Sequence, residues 1–253
     1  MEFFNGSYNY KNISEEDHER IFVIGDLHGH SDPLERLIEK MKVQKDDLVI
    51  FIGDYVDRGP SSKSVVNHLI QFQNTYKKTL FIRGNHEDMM LGSMGFPAVV
   101  NDINTWLYNG GSATLTSYGM NRSEILRLTS IWDDAERFQV MKEYIPESHI
   151  DFFLGLPFFI ESENYFFCHA GVNPVSSIND GKWNAYDLLW IRDHISSGDV
   201  SWEKVVVCGH TPLQDVLITE RLICIDTGLY YYGRLSSIDV KTKQIYQVHG
   251  KEY

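Results

Sequence analysis

Seven side chains that could bind metal ions follow short apolar runs in this sequence. They are two aspartates, four histidines and one asparagine: Asp26, His28, Asp54, Asn85, His86, His169 and His210. None is a thiolate, and oxygen and nitrogen ligands suit Mn, Fe or Zn better than Cu(I) or a structural zinc. Seven groups are too many for one tetrahedral site. They favour a pair of cations about 3.5–4 Å apart.

Each of these residues also has an ordinary interpretation when it is taken alone. A histidine at a strand end is most often a hydrogen-bonded imidazole, and Asn and Gly are common turn residues. Such residues recur, however, in five separate loops, each of them directly after an apolar run. Independent coincidence explains that recurrence poorly, so we interpret the five loops as parts of one site.

The apolar runs are short and rich in β-branched or aromatic residues, which is typical of strands buried on both faces. They span residues 21–25, 48–53, 79–82, 165–168 and 205–208. Helical spacing follows the first two runs, at 33–41 and 61–72, and predicts a β-α-β-α-β unit with parallel strands. Ligands of open α/β sheets collect beyond the carboxyl ends of the strands, and all five polar loops fall there.

The rest of the chain is predicted to complete a single domain over residues 1–253. Residues 88–155 have helical periodicity and are expected to form a helical insertion over the sheet edge. Three strands are predicted at 222–226, 234–240 and 243–249, the last two as an antiparallel hairpin. The C-terminal half is expected to build a second, mixed sheet that packs against the first.

Composition excludes several classes of protein. The 253 residues are 43% hydrophobic and 23% charged, which is ordinary globular usage. No run of about 20 apolar residues predicts a membrane span, and residues 1–20 lack the apolar region of a secretory signal. Three cysteines, Cys168, Cys208 and Cys224, are too few for a disulfide framework and are expected in the core. A cytoplasmic location is therefore predicted. The net charge is −12, and the sequence shows no basic patch of the kind that binds nucleic acid.

Five motifs resemble the signature of the phosphoprotein phosphatase branch of the calcineurin-like metallophosphoesterases. They are GDLHG at 25–29, GDYVDRG at 53–59, RGNHE at 83–87, HAG at 169–171 and GHTP at 209–212. The Asp57-Arg58 pair and Glu87 resemble protein phosphatases more than symmetrical diadenosine tetraphosphatases. Residues 106–118 and 226–228 resemble the bacterial and phage serine/threonine protein phosphatases. The resemblance implies an α/β fold, a β-sandwich of two mixed sheets flanked by helices.

The resemblance also implies which residues hold two divalent ions, Mn²⁺ before Fe or Zn. Asp26 and His28 would bind the first ion, and Asp54 would bridge the two. The second ion would be bound by Asn85, His169 and His210. A hydroxide shared by the two ions would then attack phosphorus directly, because two cations make a water more acidic.

The remaining roles implied by the resemblance concern the leaving group and the phosphate. His86 would protonate the leaving alkoxide, and Asp57 would fix the tautomer of His86. The alternative for His86 is a further metal ligand or a turn histidine. The expected substrate-binding residues are Arg58, Arg83, Arg192 and Asn109. Surface salt bridges are the alternative for Arg58 and Arg83, and a plain turn is the alternative for Asn109.

The expected activity is that of a metal-dependent phosphoesterase, above all a serine/threonine protein phosphatase acting on phosphomonoesters. The alternative is hydrolysis of diadenosine polyphosphates or other small phosphoesters. A non-catalytic binding module is disfavoured because every expected ligand position is filled. The expected partner is a phosphoprotein or small phosphoester, not nucleic acid or a membrane, and the sequence sets no oligomeric state. Among the other side chains, His149 and His194 are expected to be exposed. Tyr230 to Tyr232 are expected to pack in the core or the cap, or else to line the substrate mouth.

Overall fold

The computed structural model describes residues 10–250, in which two β-sheets pack face to face. Residues 1–9 and 251–253 lie outside the described part, so the predictions for the single domain 1–253 and for residues 1–20 fall partly outside it. Along the described strands, alternate side chains enter different apolar clusters. Ile21 and Val23 lie between the sheets, whereas Phe22 and Ile24 face the helices. This alternation is the two-residue period of a strand buried on both faces.

The first sheet has five strands in the order β11-β10-β2-β3-β4. They are β2 (Ile21–Ile24), β3 (Leu48–Phe51), β4 (Thr79–Phe81), β10 (Arg234–Asp239) and β11 (Ile245–His249). Strands β2, β3 and β4 are parallel, as predicted. The crossovers between them are α1 (Ser31–Met41) and α2 (Ser62–Thr75).

The C-terminal hairpin β10-β11 is confirmed as antiparallel, but its predicted place in the second sheet is wrong. Strand β10 pairs with β2, with Ile238 opposite Val23, and so extends the first sheet. The physical reason is that β2 would otherwise be an unpaired edge whose side chains are buried on both faces. The pairing also makes the first sheet mixed.

The second sheet has six strands in the order β1-β5-β6-β7-β9-β8 and is also mixed. They are β1 (Tyr10–Asn12), β5 (Phe159–Glu161), β6 (Tyr165–Cys168), β7 (Val205–Cys208), β8 (Leu217–Ile218) and β9 (Leu222–Cys224). Strands β6, β7 and β9 are parallel neighbours. Their carboxyl ends therefore lie together, next to the corresponding ends of the first sheet.

The segment between β4 and β5 is helical, as predicted for residues 88–155. Its elements are α3 (Asn85–Ser93), α4 (Ile103–Trp106), a π-helical turn (Leu107–Gly111), α5 (Ser112–Ser117), α6 (Arg122–Leu128), α7 (Asp134–Met141) and α8 (Glu147–Leu154). These helices share one apolar core with α2 and the outer face of the first sheet. The remaining helices are α9 (Ala185–Trp190) and α10 (Leu229–Tyr232), with short 3-10 turns at Glu15–Asp17 and Asp193–Ser196. Across residues 10–250, no helix is long and apolar enough to span a membrane.

Candidate metal centre and active site

The candidate site lies where the carboxyl ends of both sheets meet. Strands β2 and β3 of the first sheet end just before Asp26 and Asp54, and β4 leads to Asn85 at the start of α3. From the second sheet, β6 ends directly before His169, and β7 ends two residues before His210. The structure buries all seven side chains that the sequence singled out. Buried polar groups of this kind need partners or a bound ion.

Two of the histidines converge on the oxygen atoms of Asp54 and Asn85. The Nε2 atom of His169 lies 3.3 Å from Oδ1 of Asp54 and 2.9 Å from Oδ1 of Asn85. The Nδ1 atom of His210 lies 3.0 Å from the same asparagine oxygen. Asp54, His169 and His210 offer ligand atoms that all lie within 4.8 Å of one another. That spacing fits one cation.

Asp54 also belongs to a second group, with His28 and His86, whose ligand atoms lie within 4.8 Å of one another. Its Oδ2 is 3.6 Å from His28 Nε2 and 3.8 Å from His86 Nε2. A carboxylate shared by two groups is the position expected of a bridging ligand. Asp26 stands outside both groups: its two oxygens accept the backbone N–H of His210 at 3.3 and 3.2 Å.

The tautomers of two histidines are set by backbone carbonyls. The Nδ1 atom of His169 lies 2.8 Å from the carbonyl oxygen of Ile52, and that of His28 lies 3.2 Å from the carbonyl oxygen of Val56. In the neutral imidazole, Nδ1–H therefore donates to the carbonyl, and the Nε2 lone pair faces the site. A carbonyl behind the imidazole is the usual support of a histidine that binds a metal.

The electrostatics favour positive charge between Asp54 and His169. Burial raises the pKa of the Asp54 carboxyl, but the imidazoles of His169 and His86 outweigh it and hold that pKa well below its ordinary value. Burial lowers the pKa of His169, but the Asp54 carboxylate raises it to about 9. A cation bound there would replace the proton of His169.

Other buried groups around the centre are also perturbed. Burial and the neighbouring Asp226 carboxylate raise the pKa of Asp26 well above its ordinary value, and burial raises the pKa of Asp226 to about 6. Burial lowers the pKa of His210, whose Nε2 is buried without a hydrogen-bond partner among residues 10–250. Carboxylates crowded around buried imidazoles fit a site that holds divalent ions. The sequence identified Asp226 only as part of a family motif.

The loops reach this geometry through strained backbone. Seven non-glycine residues between 10 and 250 have positive φ, and five of them lie in the site loops: His28 (41°), Asp54 (54°), Asp57 (71°), Arg58 (66°) and His210 (63°). Such conformations cost about 1–3 kcal/mol each and persist where the surroundings enforce them. The concentration of positive-φ residues in these loops supports the interpretation that they form a functional site.

Glu87 is one of the groups that enforce this conformation. Its carboxylate accepts the backbone N–H groups of Gly84, Asp54, Tyr55 and Val56 at 2.9, 2.9, 2.8 and 3.3 Å. Gly84 lies so close to Asp54 that a Cβ there would be 2.3 Å from the aspartate Oδ1. Glu87 thus ties the loop after β3 to the start of α3.

The predicted phosphate-binding residues differ in their surroundings. Arg58 donates from Nη1 to Nε2 of His28 at 2.8 Å, and its guanidinium lies 5.8 and 5.5 Å from the exposed rings of Tyr230 and Tyr231. Arg83 is buried, with Nη1 3.6 Å from Oδ1 of Asp88. Because the rings of Tyr230 and Tyr231 are exposed, the alternative that they pack in the core is wrong.

Two further predicted residues lie at the periphery. Arg192 is exposed, and its charge contributes to the lowered pKa of His210, after the effects of burial and His169. The side-chain amide of Asn109 donates to the carbonyl oxygen of Thr105 at 2.9 Å, within its own helical turn. The turn interpretation thus accounts for Asn109, and a contact with substrate stays a prediction.

His86 and Asp57 form a buried pair at the edge of the centre. Nδ1 of His86 lies 2.7 Å from Oδ2 of Asp57. Sequence reasoning missed two residues that also bind this carboxylate, Trp106 and Thr114. The signal that could have found them is the 106–118 stretch, because it resembles a family motif and contains both residues.

Two histidines outside the site are buried, against the prediction that they are exposed. His149 bridges Tyr118 and Asn67 at 2.8 and 3.0 Å, and His194 lies 3.6 Å from the Cys208 sulfur. The polar neighbours in sequence point outward, whereas each imidazole faces inward on its helical turn. The expectation that the three cysteines lie in the core is confirmed.

The chain is similar to known proteins over most of its length. The model of the family described as calcineurin-like phosphoesterase matches residues 19–242. The chain is 28% identical to serine/threonine-protein phosphatase 2 of Escherichia coli over 93% of this chain and 99% of that protein. It is 24% identical to the asymmetrical bis(5'-nucleosyl)-tetraphosphatase PrpE of Bacillus thuringiensis, over 85% of this chain and 88% of that protein.

A similar fold occurs in a solved structure described as a proposed diadenosine tetraphosphatase. It superposes with a TM-score of 0.67 at 19% identity and covers 97% of this chain and 100% of that one. The α/β sandwich of two mixed sheets flanked by helices is thus that of the metallophosphoesterases. The chain belongs to the calcineurin-like phosphoesterase family.

Proposed function

We propose that this metallophosphoesterase is a serine/threonine protein phosphatase that hydrolyses phosphomonoesters at a two-metal centre. The observation that carries the proposal is the His86–Asp57 pair, with Nδ1 and Oδ2 2.7 Å apart, beside Asp54. A carboxylate on one imidazole nitrogen orients the ring and leaves the other nitrogen free to protonate a leaving alkoxide. Phosphoserine and phosphothreonine have strongly basic leaving groups, which need such an acid.

The proposed metal ligands are the six residues predicted from the sequence: Asp26, His28, Asp54, Asn85, His169 and His210. Their oxygen and nitrogen donors, without thiolate, suit Mn²⁺, with Fe or Zn as alternatives. Two bound divalent ions would lower the pKa of a shared water and offset the charge of the phosphoryl group. Asp54 is proposed to bridge the ions, because its carboxylate belongs to both groups of ligand atoms.

The phosphoryl group is proposed to bind at Arg58 and Arg192. Planar guanidinium groups suit bidentate contacts with phosphate oxygens. Arg58 stands beside His28 at the mouth of the site, and Arg192 is exposed. Arg83 faces Asp88, so a phosphate oxygen would compete with that carboxylate for it. We therefore assign Arg83 a smaller share of the phosphate binding.

One observation favours the alternative that the substrate is a dinucleoside polyphosphate. The exposed rings of Tyr230 and Tyr231 flank Arg58, and nucleobases stack on exposed aromatic rings. Some relatives also carry the name of tetraphosphatases. The Asp57-Arg58 pair and Glu87 favour the protein phosphatase.

A parallel assay tests the proposal. The purified protein, supplemented with Mn²⁺, is given a phosphoserine peptide and diadenosine tetraphosphate, and kcat/KM is measured for each. We expect the peptide to be preferred by at least about tenfold, which corresponds to about 1.4 kcal/mol of transition-state stabilisation. A preference for the tetraphosphate would contradict the proposal, and hydrolysis of neither compound would remove both functions. Elemental analysis of the same sample establishes how many ions are bound.

A further inference from the structure

Among residues 10–250, the Asp57 carboxylate has two hydrogen-bond partners besides His86, and both come from the helical insertion. The Trp106 indole donates from Nε1 to Oδ2 of Asp57 at 2.8 Å, the oxygen that also faces His86. The Thr114 hydroxyl donates to the other oxygen, Oδ1, at 2.6 Å. All four side chains are fully buried. Water therefore cannot replace a lost donor without a change in the packing.

The insertion also holds the backbone of this loop. Asp57 and Arg58 are consecutive residues with φ of 71° and 66°. The Thr114 hydroxyl accepts the backbone N–H of Asp57 at 2.8 Å, and the Gly110 carbonyl accepts that of Arg58 at 3.3 Å. Thr114 thus binds both the main chain and the side chain of Asp57. Two left-handed residues in succession persist only where the surroundings enforce them.

The shape of the insertion makes these contacts possible. Trp106 ends α4, Thr114 lies in α5, and the π-helical turn Leu107–Gly111 connects them. Gly110 in that turn has φ of 110°, and a Cβ there would lie 2.8 Å from the backbone nitrogen of Arg58. π-Helical segments are rare and occur frequently at functional sites. Here the turn brings the insertion against Asp57 and Arg58.

We propose that Trp106 and Thr114 are positioning residues that hold Asp57, and through it the His86 imidazole, in the orientation needed for protonation of the leaving group. The inference rests on the proposed function, in which His86 is the general acid. Between them, the two donors bind both oxygens of Asp57, so the carboxylate cannot rotate without losing a buried hydrogen bond. The insertion therefore serves catalysis as well as covering the sheet.

The test uses the dependence of turnover on the leaving group. Phenyl phosphate has a strongly basic leaving group that needs an acid, whereas 2,4-dinitrophenyl phosphate has a weakly basic one that does not. We expect Thr114→Val and Trp106→Phe to lower kcat for phenyl phosphate by about 10- to 100-fold, part of the effect of a general acid, and kcat for the dinitrophenyl ester by less than about threefold. Thr114→Ser keeps the hydroxyl and should restore most of the phenyl phosphate turnover.

All variants are assayed as Mn²⁺-supplemented protein, with His86→Asn in the same series. An equal fall in kcat for both esters, or no fall for phenyl phosphate, overturns the positioning role. If His86→Asn loses more kcat for phenyl phosphate than for the dinitrophenyl ester, but the Trp106 and Thr114 variants do not, only the positioning role is overturned. If His86→Asn loses the same fraction of kcat for both esters, the general-acid role and the positioning role are overturned together. Thr114→Val nearly preserves volume, so it carries the test even where Trp106→Phe fails to fold.

Discussion

The Oδ1 atom of Asp54 lies 3.3 Å from Nε2 of His169, and both side chains are buried. Asp54 is supplied by the first sheet and His169 by the second, so their approach joins the two halves of the sandwich at the candidate site. The mutual pKa shifts, downward for Asp54 and upward for His169, show that this position favours positive charge. The first prediction follows from that relationship.

Replacing Asp54 with Asn should reduce the number of bound divalent ions to fewer than two per chain. The amide keeps the shape of the side chain but removes the negative charge that both groups of ligand atoms share. Elemental analysis after Mn²⁺ loading and desalting measures the occupancy. Asp151→Asn, an exposed change on α8, is the matched control and should bind as the wild type does. Two retained ions in the Asp54 variant would argue against a bridging carboxylate.

Replacing His86 with Asn should leave metal content nearly intact and lower turnover of a phosphoserine peptide by about 10²–10⁴-fold. The reason is that the variant loses the imidazole beside Asp57 and keeps the six proposed ligands. Metal content and kcat are measured on the same sample. Because His86 Nε2 lies 3.8 Å from Asp54, loss of an ion would instead identify His86 as a ligand. Unchanged turnover would remove it from the chemistry.

Replacing Gly84 with Ala should disturb the centre while leaving the identity of every proposed ligand unchanged. The added Cβ would lie 2.3 Å from Oδ1 of Asp54 and 2.4 Å from its backbone nitrogen, so the loop has to shift. We expect fewer bound ions and at least about a 10²-fold loss of turnover, because small displacements of catalytic groups have effects of that size. Gly198→Ala is the matched control, since no heavy atom of residues 10–250, apart from its chain neighbours, lies within 4 Å of its Cβ position. Equal metal content and turnover in the two variants would contradict the close approach of Gly84 to Asp54.

The buried His194 should make the fold less stable in mild acid. Burial lowers the pKa of His194 to about 4, whereas the unfolded chain titrates near 6.5. Between these values the unfolded state binds more protons, so the contribution is present above pH 6.5 and is lost as the pH falls towards 4. Its neighbours include the Cys208 thiol, 3.6 Å away, and the carboxylate of Asp193, whose charge opposes the shift.

The measurement is urea unfolding of the wild type and of His194→Gln at pH 7 and pH 5. We expect the wild type to lose about 2 kcal/mol more between the two pH values than the variant does. Metal ligands that titrate in the same range affect both proteins and cancel in the comparison. The same loss in both proteins would show that His194 is not the cause.

Much of the site could be predicted from the sequence because strand ends are local features. Residues such as Asp26, Asp54 and His169 follow apolar runs directly, and parallel strands put their carboxyl ends at one edge of a sheet. The alternation of Ile21 and Phe22 between two clusters likewise follows from the strand period. Type and spacing alone therefore predicted that these side chains meet.

Other features depended on contacts between residues far apart in the chain. The hairpin β10-β11 joined the first sheet because β2 needed a partner, and hydrophobic patterning alone does not choose between open edges. The outward or inward direction of His149 and His194 depended on the helices and strands that pack against them.

The hydrogen bonds to Asp57 show most clearly the difference between what local sequence predicts and what distant contacts decide. The sequence alone determined that a carboxylate and an imidazole would stand beside the proposed metal ligands, because both lie in loops that follow strands. Only the tertiary structure decided that Trp106 and Thr114 hold this carboxylate from 49 and 57 residues away in the chain. The physical reason is that a buried acceptor binds whichever donors the packing brings to it, and local sequence does not encode those donors.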